Sequence, residues 1–197
     1  MKLPYFLTRA FSTICIFAFA TLATSSLSAA KFELLEHRIE WKGSTPIKSH
    51  EGLLSPKSFD VSLGADGTID SLSVVIDMDS IDVTDITGNK RDKLMGHLRS
   101  EDFFFVSEYP TAEFTMDEFK DGQLHGTITI RGISKAFTIP VNIEPVGDNE
   151  WKLSGEFSFN RHDFDVNYQN SGLIGATKNK FIRKAIEVSV ELLVRKG

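Results

Sequence analysis

TAEFTMDEFKDGQLHGTITIRG, residues 111–132, alternates apolar and polar side chains on both sides of an Asp-Gly pair. Ala112, Phe114 and Met116 fall at every second position before the pair, and Leu124, Gly126, Ile128 and Ile130 do so after it. A period of two puts such residues on one face of a strand, and Asp121-Gly122 is a strong two-residue hairpin signal. The stretch therefore reads as an antiparallel hairpin with one apolar face.

The same pattern recurs along the chain. FELLEHRIEW (32–41) reads as a first strand and HEGLLSPKSFDVSL (50–63) as a second, with Pro56 implying a bulge or an edge. Ala65-Asp66-Gly67 turns into TIDSLSVVIDMDS (68–80), where Leu72, Val74, Ile76 and Met78 share a face. After the quoted hairpin come AFTIPVNIE, aligning Phe137, Ile139, Val141 and Ile143, and WKLSGEFSFN, aligning Leu153, Gly155, Phe157 and Phe159. KAIEVSVELLV closes the series with Ile186, Val188, Val190, Leu192 and Val194. The expectation is eight strands.

One segment, ITGNKRDKLMGHLRS (86–100), departs from alternation. Leu94, Met95 and Leu98 stand at helical spacing, which predicts a short amphipathic helix between the third and fourth strands. Behind it lie Phe103, Phe104 and Phe105, three adjacent aromatics that cannot all face one way. They are expected to be shared between the sheet and the helix that covers it, with Tyr109-Pro110 leading into the next strand.

Residues 1–30 read as a secretory signal peptide: Lys2 and Arg9 precede the apolar run FSTICIFAFA, and Ser28-Ala29-Ala30 supplies small residues for cleavage. The apolar run is short for a membrane span. The single cysteine, Cys15, falls inside this leader, so residues 31–197 offer no thiolate nucleophile, disulfide or Cys-bound metal. A periplasmic location is expected. Beyond the leader 20 basic side chains face 27 acidic ones, which argues against nucleic acid as a partner. Residues 31–197 form one domain on this reading, with no linker or repeat inside it.

Antiparallel hairpins with one apolar face and a single helix for cover bury that face best by closing on themselves. The fold class expected is all-β, an elongated eight-stranded antiparallel lipocalin-like barrel. Eight strands enclose either a packed core or one small guest. Strands of about ten residues would make a tube of roughly 33 Å, and the inward positions are nearly free of charge. Periodicity leaves a packed core and a lipid cavity both open.

The run Leu98, Ser100, Asp102, Phe103, Phe104, Val106, Tyr109, Pro110, Thr111, Ala112 and Phe114 resembles the signature of the YceI-like polyisoprenoid-binding family. IDMDSIDV (76–83), ITIRGISKAFTIPV (128–141) and FNRHDFDV (159–166) resemble further pieces of it, so the likeness runs from Phe32 to Val194. Phe105, Asp165, Arg183 and Lys184 depart from the family pattern, Asp165 standing where glycine is frequent. The resemblance implies an exported barrel enclosing an isoprenoid or other long-chain amphiphilic lipid, often dimeric, with no metal or cofactor. Carried onto this sequence, the guest would lie against Val74, Ile76, Met78, Leu94, Leu98, Phe103, Phe104, Phe114, Met116, Ile128, Ile130, Phe137, Ile139, Val141, Phe157, Phe159, Val188 and Val190.

Catalysis finds little support, and an enzyme acting on a lipid stands only as a third reading. The five histidines show no metal-ligand spacing, and no GxSxG elbow is present. His50, at a barrel end, and His97, on the helix, are the two worth following. Asp77, Asp79 and Asp82 read as a wet strand end, and Arg91-Asp92 as a pair that holds the helix or meets a polar head group. Lys178, Lys180, Arg183 and Lys184 could steer toward phosphate head groups or an anionic membrane, although charges flanking a hydrophobic strand commonly only discourage aggregation. Gly52, Gly126 and Gly155 are expected to let the barrel wall bend.

Overall fold

The computed structural model describes residues 31–64, 68–168 and 182–197. The predicted leader, the Ala65-Asp66-Gly67 turn, Lys178 and Lys180 lie outside them. The quoted hairpin forms as expected, β4 (Thr111–Lys120) and β5 (Gln123–Ile130) pairing antiparallel with Phe114 opposite Ile128. Asp121 and Gly122 both take positive φ, 51° and 73°, as the tight turn requires.

Before the hairpin come β1 (Phe32–Ser44), β2 (Ser49–Leu63) and β3 (Ile69–Asp77), then a 3-10 turn (Met78–Ser80) and the helix α1 (Asn89–Arg99). After it come β6 (Ile133–Pro140), β7 (Asn142–Gly147), β8 (Glu150–Asn160), a second 3-10 turn (Arg161–Phe164) and β9 (Ala185–Lys196). All form one antiparallel sheet in the order β6-β5-β4-β3-β2-β1-β9-β8-β7. Pro56 sits at a bulge between β2 and β3, a position that tolerates a residue without an N–H.

Among the described residues the strand count is nine, one more than the alternation predicts. AFTIPVNIE is not one strand, because Pro140 cannot donate and Val141 N–H bonds out to Gly122 O at 2.9 Å. The chain pairs with β5 before this point and with β8 after it.

The two strands at the ends of the order, β6 and β7, are therefore consecutive in sequence. The curled sheet closes here by packing rather than by a hydrogen-bonded ladder. Phe137 on β6 and Phe157 on β8 meet edge to face, ring centroids 5.6 Å apart. A Cβ at Gly155 on β8 would lie 2.7 Å from Pro140 O; glycine here permits close backbone approach across the seam, beyond the wall bending expected of it.

The segment between the first 3-10 turn and α1 runs along the start of β2. Leu53 N–H donates to Asp82 O at 3.2 Å and Asp82 N–H to Leu53 O at 2.9 Å. Ile81 and Val83 are buried by this arrangement. Gly52 makes it possible, since a Cβ there would fall 1.7 Å from Asp82 O.

Candidate functional site

The inner wall is assembled from rows of apolar residues that the strand register brings side by side. One row runs Phe59, Val74, Phe114, Ile128 across β2 to β5. Another runs Trp41, Val188, Phe157 across β1, β9 and β8. Between the rows is a cavity of about 400 Å³, within the size range of sites that enclose a small-molecule ligand.

Val74, Ile76, Val188 and Val190 all line this space, yet each is only half-buried. In a packed core such inward side chains would be almost wholly covered. The interior is hollow rather than fully packed.

Sixteen of the expected residues stand on the cavity wall: Val74, Ile76, Met78, Leu94, Leu98, Phe103, Phe104, Phe114, Ile128, Ile130, Ile139, Val141, Phe157, Phe159, Val188 and Val190. Met78 reaches it from the 3-10 turn rather than from a strand. Met116 and Phe137 are off the wall. Both oppose Gly126, on β4 and β6 respectively. The Phe114 ring, with Cζ 3.0 Å from where a Gly126 Cβ would stand, covers the inner surface at that row.

Sequence reasoning missed several wall residues. Ile39, Trp41, Leu54 and Phe59 come from the first two strands, and Leu72, Leu124, Leu153, Ile186 and Leu192 extend faces already recognised as apolar. The alternation that marks Val188 and Val190 as inward marks Ile186 and Leu192 equally, so that signal was present.

The helix α1 contributes Leu94, His97 and Leu98 to the wall. It is tied down by arginines: Arg91 Nε donates to Val83 O at 3.0 Å and its Nη2 donates to Asp82 Oδ1, while Arg99 Nη2 donates to Asp79 O at 2.6 Å. Asp77 accepts from Asp79 N–H at 3.0 Å. The carboxylates of Asp77 and Asp82 thus have structural partners, while Asp79 is engaged through its backbone.

The three phenylalanines divide as the sequence demands. Phe103 and Phe104 are buried against the cavity, their rings 5.6 Å apart. Phe105 has a positive φ of 49° and turns outward onto Tyr109, centroids 5.9 Å apart. His97 packs edge-on between Phe103, at 5.4 Å, and Tyr168, at 4.1 Å. Its buried Nε2 has no hydrogen-bond partner among the described residues.

One end of the cavity is polar, lined by Gly43, Ser44, Thr45, Lys48 and His50 from the β1–β2 hairpin. His50 Nδ1 is 2.8 Å from Asp85 Oδ2. Burial disfavours the charged form of Asp85, but hydrogen bonds from His50 and the Glu51 N–H, with the His50 charge, outweigh it and lower its pKa. Among the described residues no group of three or more His, Asp or Glu is placed to hold a metal ion.

Among the described residues a nine-stranded curled sheet surrounds a hollow apolar interior and the helix α1 caps it. Residues 21–194 match the YceI-like domain family. The chain belongs to that family. A UPF0312 protein of Pseudomonas aeruginosa is 36% identical over 86 residues, and protein YceI of Escherichia coli is 34% identical over 86 residues. In both cases the matched region covers 42% of this chain and 42% of the relative.

Solved structures share the fold at low identity. Burkholderia cenocepacia BcnA superposes with a TM-score of 0.62 at 18% identity, covering 80% of this chain and 95% of that one. A polyisoprenoid binding domain from Saccharophagus degradans gives a TM-score of 0.61 at 14% identity, covering 86% and 99%. The departure at Asp165 has a physical reading: its φ of 56° and ψ of 22° are left-handed, a conformation that glycine adopts without strain and that aspartate tolerates.

Proposed function

We propose that this YceI-like protein is an exported binding protein that holds the apolar chain of an isoprenoid or similar long lipid inside the barrel. The observation that carries the reading is the hollow, almost wholly apolar interior, with Val74, Ile76, Val188 and Val190 facing open space. Burying each methylene contributes about 0.8 kcal/mol, so chain length and shape select the guest more than its head group does.

The protein acts by binding, without turnover. Export to the periplasm is supported by the leader-like pattern of residues 1–30 and by the lack of cysteine after Cys15. Pairing of two copies is supported by the family resemblance alone. The hollow interior counts against a packed barrel that serves only to bind other proteins.

The test is mass spectrometry of organic extracts of residues 31–197, exported by a bacterial host and purified without detergent. A long-chain lipid in near-stoichiometric amount is expected. A clean extract, repeated after incubation with membrane lipids, overturns the proposal.

A further inference from the structure

The β1–β2 turn holds Ile47, which is 70% exposed. A lone exposed apolar side chain is ordinary; what distinguishes this one is its place and its neighbours. Lys48, the next residue, is exposed and also lines the cavity, so the interior meets solvent at this hairpin.

The turn is firmly built. Thr45 N–H donates to Lys48 O at 2.7 Å, Thr45 Oγ1 donates to the same oxygen at 3.0 Å, and Lys48 N–H donates back to Thr45 Oγ1 at 3.1 Å. With the backbone engaged in this way, Ile47 is held outward. Beside the hairpin, Arg183 N–H donates to Ser44 O at 2.7 Å, which brings the exposed Arg183 and Lys184 next to the opening.

Lys48, Arg183 and Lys184 make no ion pair with any described carboxylate, whereas His50 engages Asp85 and Lys42 lies 3.9 Å from Glu187. In a chain of net charge −5 this end thus presents, around one apolar tip, three cations with no ion pair to a described carboxylate. An apolar anchor ringed by cations is complementary to an anionic bilayer, whose phosphates face water and whose chains lie beneath.

We propose that the β1–β2 hairpin, with Arg183 and Lys184, is a membrane-docking surface that sets the cavity mouth against an anionic lipid bilayer. The purpose of the contact rests on the carrier reading: a lipid chain could pass between bilayer and barrel without crossing water. One anchor and three cations give reversible, salt-sensitive attachment, which suits a carrier that must leave again.

The test uses the protein of residues 31–197 with vesicles of phosphatidylcholine alone and of phosphatidylcholine mixed with phosphatidylglycerol. Sedimentation with the anionic vesicles only, lost at high salt, is expected. Ile47→Asp and the double charge reversal Arg183→Glu with Lys184→Glu should each abolish it and slow extraction of a fluorescent polyprenol from vesicles roughly tenfold, equivalent to about 1.4 kcal/mol. Both variants should bind the same polyprenol unchanged when it is dispersed without vesicles.

Sedimentation unaffected by either variant, or absent in the unaltered protein, overturns the docking surface. Failure of every form to bind dispersed polyprenol overturns the carrier reading instead, and the sedimentation result still decides docking.

Discussion

Phe137 on β6 and Phe157 on β8 meet edge to face with ring centroids 5.6 Å apart, although no hydrogen-bonded ladder joins their strands. Side chains therefore carry the closure of the barrel at this seam. Phe137→Ala should lower stability by about 2–3 kcal/mol, below the full core value because the ring is half-buried, as measured by urea unfolding. Gly155→Ala should destabilise the same seam by about 1–3 kcal/mol, since the added methyl meets Pro140 O.

The strands were legible because most of them have one apolar face, and period-2 alternation records that directly. β4 runs over the ten residues its pattern marks, Thr111–Lys120. The break at Pro140-Val141 was not legible as a change of partner. Inward alternation continues through Phe137, Ile139, Val141 and Ile143 whether the next strand pairs with β5 or with β8. Hollowness was equally hidden, because a valine facing empty space and a valine facing another valine read alike. Met116 and Phe137 left the expected site for a similar reason: alternation gives the face of a residue, but the Phe114 ring decides which part of that face is covered.

Arg161 is fully buried with no carboxylate partner among the described residues. Its guanidinium instead serves three carbonyls: Nε donates to Arg183 O at 3.1 Å, Nη2 to Ile182 O at 3.1 Å, and Nη1 to Val166 O. Burial lowers its pKa, but a guanidinium stays charged at any working pH. Arg161→Met leaves these carbonyls unpaired and should cost about 3 kcal/mol or more in thermal unfolding. Arg161→Lys restores a charge but not the fork of donors, and should recover only part of the loss.

Arg91 and Asp82 couple α1 to the segment that runs along β2, with both side chains more than a third exposed. Screening by solvent limits such a pair to about 0.5–1 kcal/mol. A double-mutant cycle with Arg91→Met and Asp82→Asn should return a coupling energy of that size, and Arg91→Met should speed amide exchange along α1 more than in β4 or β5. Exchange quickened uniformly across the protein would contradict the assignment of this pair to the helix.

His162 is held below its ordinary pKa, first by burial and then by the positive charges of Arg161 and Lys184, against the opposing pull of Asp163. The unfolded chain therefore binds a proton more readily than the folded one. The neutral form's contribution to stability is fully present above the unfolded pKa of about 6.5 and is lost as pH falls through the folded value. Melting temperatures measured from neutral to mildly acidic pH should fall more steeply in the unaltered protein than in His162→Gln. Parallel curves would show that His162 does not contribute.

Val190 tests the hollow interior itself. It lines the cavity between Ile39 on β1 and Gly155 on β8, and Gly155 brings no side chain into the row. If the interior were packed, Val190→Phe would force its neighbours apart at a cost of about 1–3 kcal/mol. In a hollow barrel the larger ring gains contacts instead, so urea unfolding should show stability unchanged or raised by up to about 1 kcal/mol. The same variant should retain less lipid, or shorter chains, in the mass spectrum of its extract. A stable variant with an undiminished lipid load would keep the cavity but move the guest elsewhere within it, and a destabilised one would mean that Val190 faces matter rather than space.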